Sequence, residues 1–117
     1  DRVIAEARAG RGAIAAIPVA DTLKEARAEP ADGPARVART VPRNGLWRAQ
    51  TPQAFPLAVL RAGLEAARAA GIVPTDDAAA VEGQGVPVTL IEDRTTNIKV
   101  TTPDDFLIAE AIARGPG

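Results

Sequence analysis

The hydrophobic positions of the chain alternate between helical stripes and short continuous runs. Val3, Ile4 and Ala7 share one helical face ahead of two glycines, so residues 1–9 are predicted to be the end of a helix. Residues 13–19 form a continuous apolar run after a glycine. Such a run is typical of a central parallel strand that is covered on both faces.

The next segment, from Thr22 to Arg43, is polar and predicts a β-hairpin. An Asp-Gly pair lies near its middle between two extended segments, which is a strong turn signal. A turn centred on this pair would place Thr22 opposite Arg43 at the base and Glu29 opposite Arg36 near the tip. A hairpin with so few apolar residues would be marginal alone, so we expect it to pack against another subunit.

Strands and helices alternate over the rest of the chain. A short strand closed by Pro52 is predicted over residues 46–51, and a helix follows with Pro56 in its first turn and Gly71 as its stop. The apolar stripe of that helix consists of Leu57, Leu60, Leu64 and Ala67. Later predicted elements are a helix ending near Glu82, a strand over 86–92, an extended piece at 97–100 and a helix starting at 102–105. This order indicates an α/β layered fold with a protruding hairpin.

The residue types present exclude most catalytic chemistry. Among its 117 residues the chain has no histidine and no cysteine, which rules out Ser-His-Asp and Cys-His relays, zinc fingers and thiol redox centres. Any metal ion would have to be a hard cation held by carboxylates, phosphates and water. The length suits one small domain, and an apolar content of 46% is enough for a core.

Charge and hydropathy argue against nucleic acid and membrane partners. A net charge of -1 gives no uniform positive field for binding a polynucleotide or an anionic membrane. No apolar run approaches the roughly 18 residues needed to span a bilayer. The start of the chain resembles no signal peptide and has no initiator Met. We therefore expect an internal or C-terminal fragment of a longer cytoplasmic protein.

Polar residues cluster at predicted strand ends and helix starts, where open α/β sheets bind their ligands. The clusters are residues 21–24, 43–45, 75–77 and 97–101. Together they supply cations and hydroxyl groups but few bases. That set is poor for proton abstraction and well suited to binding a phosphate group.

Each cluster also has a purely structural explanation. Thr75 and Asp76 could cap a helix, and Arg43 could belong to a simple Arg-Asn-Gly turn. Lys99 could be a surface charge on an edge strand. The acids at 104–105 are best explained by the dipole of the last helix. Taken one at a time, these local patterns do not establish a function.

The sequences of these clusters, and their order along the chain, resemble those of a known enzyme family. The segments PVADTLK, RNGLWRAQTPQ, TDDA and NIKVTTPDD, which occur in this order between residues 13 and 112, are similar to the C-terminal half of 2-C-methyl-D-erythritol 4-phosphate cytidylyltransferase. The resemblance implies a Rossmann-like nucleotidyltransferase α/β/α layered sheet with a β-hairpin dimerisation arm at about residues 22–43. It also implies transfer of CMP from CTP to methylerythritol phosphate, with Mg²⁺ assistance and release of pyrophosphate, in non-mevalonate isoprenoid biosynthesis.

The same resemblance implies roles for particular residues. Thr22, Arg43, Thr75 and Lys99 would bind the phosphate of the methylerythritol substrate, and Arg43 and Lys99 would also be the catalytic residues. In a homodimer the arm of each subunit would reach into the site of its partner, so that Thr22 and Arg43 act in trans. The CTP loop and the Mg²⁺ ligands belong to the N-terminal half of the family domain, which residues 1–117 are expected to lack. This fragment alone is therefore expected to be inactive.

Two alternatives remain open at the level of sequence. One is a cytidylyltransferase of the same fold that acts on ribitol 5-phosphate, which a side-by-side test of the two alcohol phosphates would separate. The other is a non-catalytic dimerisation module that keeps the arm after losing the nucleotide-binding half. A glycine-rich basic loop in the upstream sequence would favour the enzyme over the module.

Overall fold

The computed structural model describes residues 1–27 and 33–116 of the chain. In chain order the elements are α1 (Arg2–Arg8), β1 (Gly12–Pro18), β2 (Leu23–Ala26), β3 (Val37–Val41), β4 (Trp47–Ala54), α2 (Leu57–Ala69), α3 (Asp77–Glu82), β5 (Val88–Glu92) and α4 (Pro103–Arg114). The chain divides into two compact units, one made of residues 1–17 and 49–117 and the other of residues 18–48. The predicted α/β class is confirmed.

The described sheet of the larger unit has the strand order β4-β1-β5. Strand β1 runs parallel to β5, from Gly12 opposite Val88 to Ala16 opposite Glu92. Residues 12–17 are all buried. A strand between two neighbours in a covered sheet has no solvent face, which explains its unbroken apolar sequence. The prediction of a central parallel strand is confirmed.

The helix boundaries follow from local signals. The Asp1 carboxylate accepts hydrogen bonds from backbone N–H groups at the start of α1, including that of Val3 at 2.8 Å. Helix α4 begins with a capping box, in which Thr102 and Asp105 accept hydrogen bonds from each other's backbone N–H groups. Gly71 follows α2 with a φ of 70°, a left-handed conformation that favours glycine. The start of α4 and the stop after α2 agree with the sequence prediction, and α1 lies within the predicted helix end at residues 1–9.

Helix α2 approaches the backbone of α3 closely at a glycine, and of its predicted stripe Leu60 and Ala67 are half-buried. It begins after Pro56, which is the N-cap and not a first-turn residue. Gly63 is buried, and a Cβ at this position would lie 2.5 Å from the backbone oxygen of Ala80 in α3. Leu57 and Leu64 of the predicted stripe are 70% and 42% exposed. The close contact between the helices therefore requires a residue without a side chain.

Two predicted boundaries around β4 and β5 are wrong. Strand β4 continues through Pro52, because it lies at an edge of the described sheet, where a missing N–H breaks no ladder. Residues 97–100 form no strand and belong to the loop between β5 and α4. There the Asn97 amide donates hydrogen bonds to Thr51 O at 2.6 Å and to Asp93 Oδ2 at 2.9 Å. These bonds attach the loop to β4 at Asn97, directly after the turn at residues 95–96.

The smaller unit contains the predicted hairpin, with a different register. Strands β2 and β3 are antiparallel and pair Leu23 with Val41, Lys24 with Thr40, Glu25 with Arg39 and, after a shift, Ala26 with Val37. Continued to the base, this register places Thr22 opposite Pro42, so the predicted pairing with Arg43 is wrong by one residue. The error is larger nearer the tip, where Ala26 pairs with Val37 instead of the predicted Arg39, and the extra residue in β3 reduces it from two residues to one. The predicted pairing of Glu29 and the Asp-Gly turn involve residues 28–32, which lie outside the described residues.

Candidate functional site

Arg43 lies in a turn at the base of the hairpin, in the smaller unit. The turn is closed by a hydrogen bond from Leu46 N to Arg43 O at 3.0 Å, and Gly45 has a φ of 80°. The exposed guanidinium donates from Nη1 to Ala20 O at 2.7 Å. This bond uses one of its five N–H donors. The turn and the ligand explanations of this segment are therefore compatible, since the backbone makes the turn and most of the guanidinium remains accessible.

Thr22 lies on the other side of the hairpin base, two residues after the carbonyl that Arg43 contacts. It is exposed, and its hydroxyl makes no hydrogen bond with the described residues. The neighbouring Lys24 differs, because its ammonium donates to Thr40 Oγ1 across the hairpin at 2.8 Å. In the smaller unit Thr22 and Arg43 thus lie at the same end of the hairpin, whereas Lys24 is hydrogen-bonded to the opposite strand.

Thr75 precedes helix α3 in the larger unit. The N-cap is Asp76, whose Oδ1 accepts a hydrogen bond from Ala79 N at 2.8 Å. Thr75 is exposed and its hydroxyl makes no hydrogen bond within the described part of the chain. The capping explanation therefore holds for Asp76 and leaves the Thr75 hydroxyl available.

Lys99 is exposed in the loop that joins β5 to α4, so it is not a charge on an edge strand. Among the described residues three arginines have carboxylate partners: Arg11 with Glu6 at 2.7 Å, Arg39 with Glu25 at 2.9 Å and Arg114 with Glu110 at 3.9 Å. No described carboxylate forms such a pair with Lys99 or with Arg43. Both cations can therefore serve an anionic ligand without first leaving an ion pair.

The loop with Lys99 ends at the carboxylate of Asp105. Its Oδ2 accepts hydrogen bonds at 3.0 Å from Thr101 N, Thr101 Oγ1 and Thr102 N. The bond from the Thr101 backbone is the largest cause, followed by the other bonds from Thr101 and Thr102, and together they lower the pKa of Asp105 below its ordinary value of 3.8. Asp105 therefore fixes the helix start, as predicted for the acids at this position.

This lowered pKa predicts a pH dependence of stability. A carboxyl group whose pKa is lower in the folded state stabilises the fold above its unfolded pKa, and this contribution is lost as the pH falls through the folded pKa. In the full-length protein, Asp105→Asn is expected to flatten the rise of unfolding free energy with pH in the window below 3.8. Urea denaturation at a series of acidic pH values measures this slope. Asp104→Asn is the control, because no described hydrogen bond involves the Asp104 side chain, and an equal slope in wild type and Asp105→Asn would contradict the assignment.

Two polar side chains of β4 that face these loops were not among the residues predicted from the sequence. Gln50 Nε2 donates to Asn97 O at 2.9 Å, and Gln53 Nε2 donates to Asp76 Oδ2 at 3.0 Å. Both glutamines are half-buried. The only hint in the sequence is their position beside Pro52 in the QTPQ segment, because their partners are distant along the chain.

The described residues form neither a carboxylate metal site nor a membrane-spanning helix. Residues 1–27 and 33–116 contain no group of three or more Asp and Glu side chains placed to hold a metal ion. The same residues include no helix that is long and apolar enough to cross a bilayer.

Fold and site together define a class of protein. It is an α/β protein whose exposed cations and hydroxyls suit a phosphorylated ligand, with no histidine or cysteine for proton transfer or thiol chemistry. The family model of 2-C-methyl-D-erythritol 4-phosphate cytidylyltransferase matches residues 1–115. The chain therefore belongs to the 2-C-methyl-D-erythritol 4-phosphate cytidylyltransferase family, as the motif resemblance indicated.

Relatives and solved structures agree with this assignment. The chain is 50% identical over 104 residues to the enzyme of this name from Ralstonia nicotianae, which covers 89% of the chain and 39% of the relative. It is 52% identical over 106 residues to that from Acidithiobacillus ferrooxidans, covering 91% and 42%. The crystal structure of the enzyme of this name from Thermus thermophilus superimposes with a TM-score of 0.80 at 39% identity, covering 97% of this chain and 53% of that one. The nucleotidyltransferase fold prediction is confirmed, and the chain spans about two fifths of the length of these curated relatives.

Proposed function

We propose that the full-length protein transfers CMP from CTP to 2-C-methyl-D-erythritol 4-phosphate, giving 4-diphosphocytidyl-2-C-methyl-D-erythritol and pyrophosphate in the non-mevalonate isoprenoid pathway. The observation that carries this proposal is the family match over residues 1–115. The exposed cations and hydroxyls described above are chemically suited to the phosphate of the acceptor. We propose that this chain is the C-terminal portion of the cytidylyltransferase domain, and that the remainder of the domain binds CTP.

The proposed reaction needs no general base, which fits a chain without histidine. A phosphate oxygen of the alcohol phosphate attacks the α-phosphorus of CTP in line, a new P–O–P bond forms, and the bond to the β-phosphate oxygen breaks to release pyrophosphate. The nucleophile is already anionic. Arg43 and Lys99 would reduce the repulsion between the two anions, and Thr22 and Thr75 would orient the incoming phosphate.

We propose that any Mg²⁺ is held outside this chain. The described residues offer no group of three carboxylates for it, so the family's metal would have to be bound by the remainder of the domain and by the CTP phosphates. When bound there, Mg²⁺ would neutralise phosphate charge.

We propose further that the protein is a homodimer in which the hairpin is the dimerisation arm. The hairpin belongs to a unit with its own internal contacts, and its Val37 is 56% exposed, as expected of a residue that packs on a partner surface. In such a dimer Thr22 and Arg43 would serve the site of the partner subunit.

The experiment that tests this function compares two acceptors. The full-length protein is incubated with CTP and either methylerythritol phosphate or ribitol 5-phosphate, and pyrophosphate release is measured. Release with methylerythritol phosphate and much slower release with ribitol 5-phosphate is the expected result. The reverse preference would establish the ribitol enzyme instead, and no release with either acceptor would favour the non-catalytic module.

A further inference from the structure

Two half-buried glutamines on β4 hold the two loops that carry Lys99 and Thr75. All of these residues belong to the larger unit. Gln50 contacts the loop between β5 and α4, and Gln53 contacts the start of α3. Neither glutamine has a role in the reaction proposed above.

Gln50 and the β5–α4 loop exchange hydrogen bonds in both directions. Gln50 Nε2 donates to Asn97 O at 2.9 Å and to Arg94 O at 3.4 Å. In return, Asn97 Nδ2 donates to Thr51 O on β4 at 2.6 Å. Two carbonyl acceptors on the same nitrogen fix the orientation of the Gln50 amide, because its oxygen could not bond to either of them. The contact therefore requires a hydrogen-bond donor at position 50.

These contacts fix the backbone before Lys99, and the hydrogen bonds from Thr101 to Asp105 fix it after Lys99. Asn97 lies two residues before Lys99, and Thr101, which bonds to Asp105 through both its backbone N–H and its hydroxyl, lies two residues after it. A short segment fixed at both ends has little backbone freedom left to lose when its side chain binds a ligand. The loop therefore presents the Lys99 ammonium from a preorganised backbone.

Gln53 acts in the same way on the segment that carries Thr75. Its Nε2 donates to Asp76 Oδ2 at 3.0 Å, and its Oε1 accepts from Ala78 N at 3.3 Å. Asp76 is the N-cap of α3 and directly follows Thr75. The amide thus uses its donor and its acceptor to fix the backbone beside the Thr75 hydroxyl.

We propose that Gln50 and Gln53 are positioning residues for the acceptor phosphate, with Gln50 acting through Lys99 and Gln53 through Thr75. This inference rests on the proposed function, in which Lys99 and Thr75 bind that phosphate. The glutamines do not touch the substrate. Their effect is on the binding of the alcohol phosphate and not on that of CTP, which the remainder of the domain is proposed to hold.

The first test measures steady-state kinetics of the full-length protein carrying Gln50→Leu or Gln53→Leu. Each change keeps much of the side-chain volume and removes the hydrogen bonds. We expect the KM for methylerythritol phosphate to rise roughly 10- to 100-fold, the effect of misplacing a binding group by about 1 Å, while the KM for CTP stays within about twofold. Gln84→Leu is the matched control, since Gln84 is exposed and its side chain bonds to none of the described residues.

A second test asks whether each glutamine acts through the residue assigned to it. In a Lys99→Ala background, Gln50→Leu is expected to add less than about a twofold change in KM, because the group that it positions is gone, whereas Gln53→Leu keeps its full effect. Gln50→Met replaces Gln50→Leu in both tests if the leucine variant does not fold. A purely structural role would instead lower the melting temperature and leave both KM values unchanged.

The outcomes separate this inference from the function on which it rests. Absence of turnover by the wild-type protein overturns both. If the wild-type protein turns over, any of three results overturns the positioning role alone. The KM for methylerythritol phosphate is unchanged in the leucine variants, or the KM values for both substrates change equally. The third is that Gln50→Leu keeps its full effect on KM in the Lys99→Ala background.

Discussion

Arg43→Ala in the full-length protein is expected to weaken binding of methylerythritol phosphate by about 2–4 kcal/mol, roughly 30- to 1000-fold in Kd. The reason is that Arg43 lies in the segment that the family resemblance assigns to the phosphate, and its guanidinium, which is in no described ion pair, can form a bidentate, charge-assisted contact. CTP binding should stay nearly intact. Isothermal titration with each substrate separately measures both effects.

The controls for this variant separate charge from fold. Arg43→Lys keeps the positive charge but cannot form two parallel hydrogen bonds, so an intermediate loss is expected. Arg61→Ala removes an exposed arginine from α2 and should change neither affinity. If Arg43→Ala binds methylerythritol phosphate as tightly as Arg61→Ala does, Arg43 has only the structural role seen in its bond to Ala20 O at 2.7 Å.

The elements predicted correctly from the sequence are those that depend on near neighbours. The capping box of Thr102 and Asp105 is complete within four residues, and the apolar run of β1 reports burial on both faces directly. The hairpin was predicted from its turn signal, but its register differs from the predicted one by two residues at Ala26 and, after the extra residue in β3, by one at Leu23. A turn signal does not encode an extra residue further along a strand.

How a helix face is covered depends on surfaces that the fold brings together. An apolar stripe such as that of Leu57 and Leu64 predicts which side chains share a helix face, but it does not predict which part of the protein covers that face. In the described structure α2 approaches α3 closely at Gly63, where the absence of a side chain permits the contact. A hydropathy pattern cannot identify a contact that depends on the missing side chain of a glycine.

The residues of the candidate site also differ in whether the sequence alone could identify them. Thr22, Arg43, Thr75 and Lys99 were found because each is a polar residue at the end of a predicted element within a recognisable motif. Gln50 was not assigned a role, because its acceptor Asn97 O is 47 residues away along the chain. An amide in a strand cannot be distinguished from a solvent-facing one until its partner is known. Motifs therefore locate the groups proposed to bind the ligand, and the fold is needed to find the groups that hold them.

Gly63→Val is expected to lower the free energy of unfolding of the full-length protein by about 3 kcal/mol or more, and Gly63→Ala by about 1–2 kcal/mol. In an ordinary helix interior, replacing glycine by alanine stabilises the helix by about 1 kcal/mol. At Gly63 the sign reverses, because the new Cβ would lie 2.5 Å from the Ala80 backbone oxygen and would force α2 away from α3. Chemical denaturation measures the change.

Gly83→Ala is the matched control for this prediction. Gly83 is the C-cap of α3 with a φ of -76°, and a Cβ there would meet nothing within 4 Å, so this change should be neutral or slightly stabilising. Because Thr75 lies just before α3 and Asp76 is bonded to Gln53, displacement of α3 should also raise the KM for methylerythritol phosphate in Gly63→Ala. Equal stabilities of Gly63→Ala and Gly83→Ala would show that α2 and α3 can adjust to the added atom, and the close approach would then not be required for either stability or the placement of Thr75.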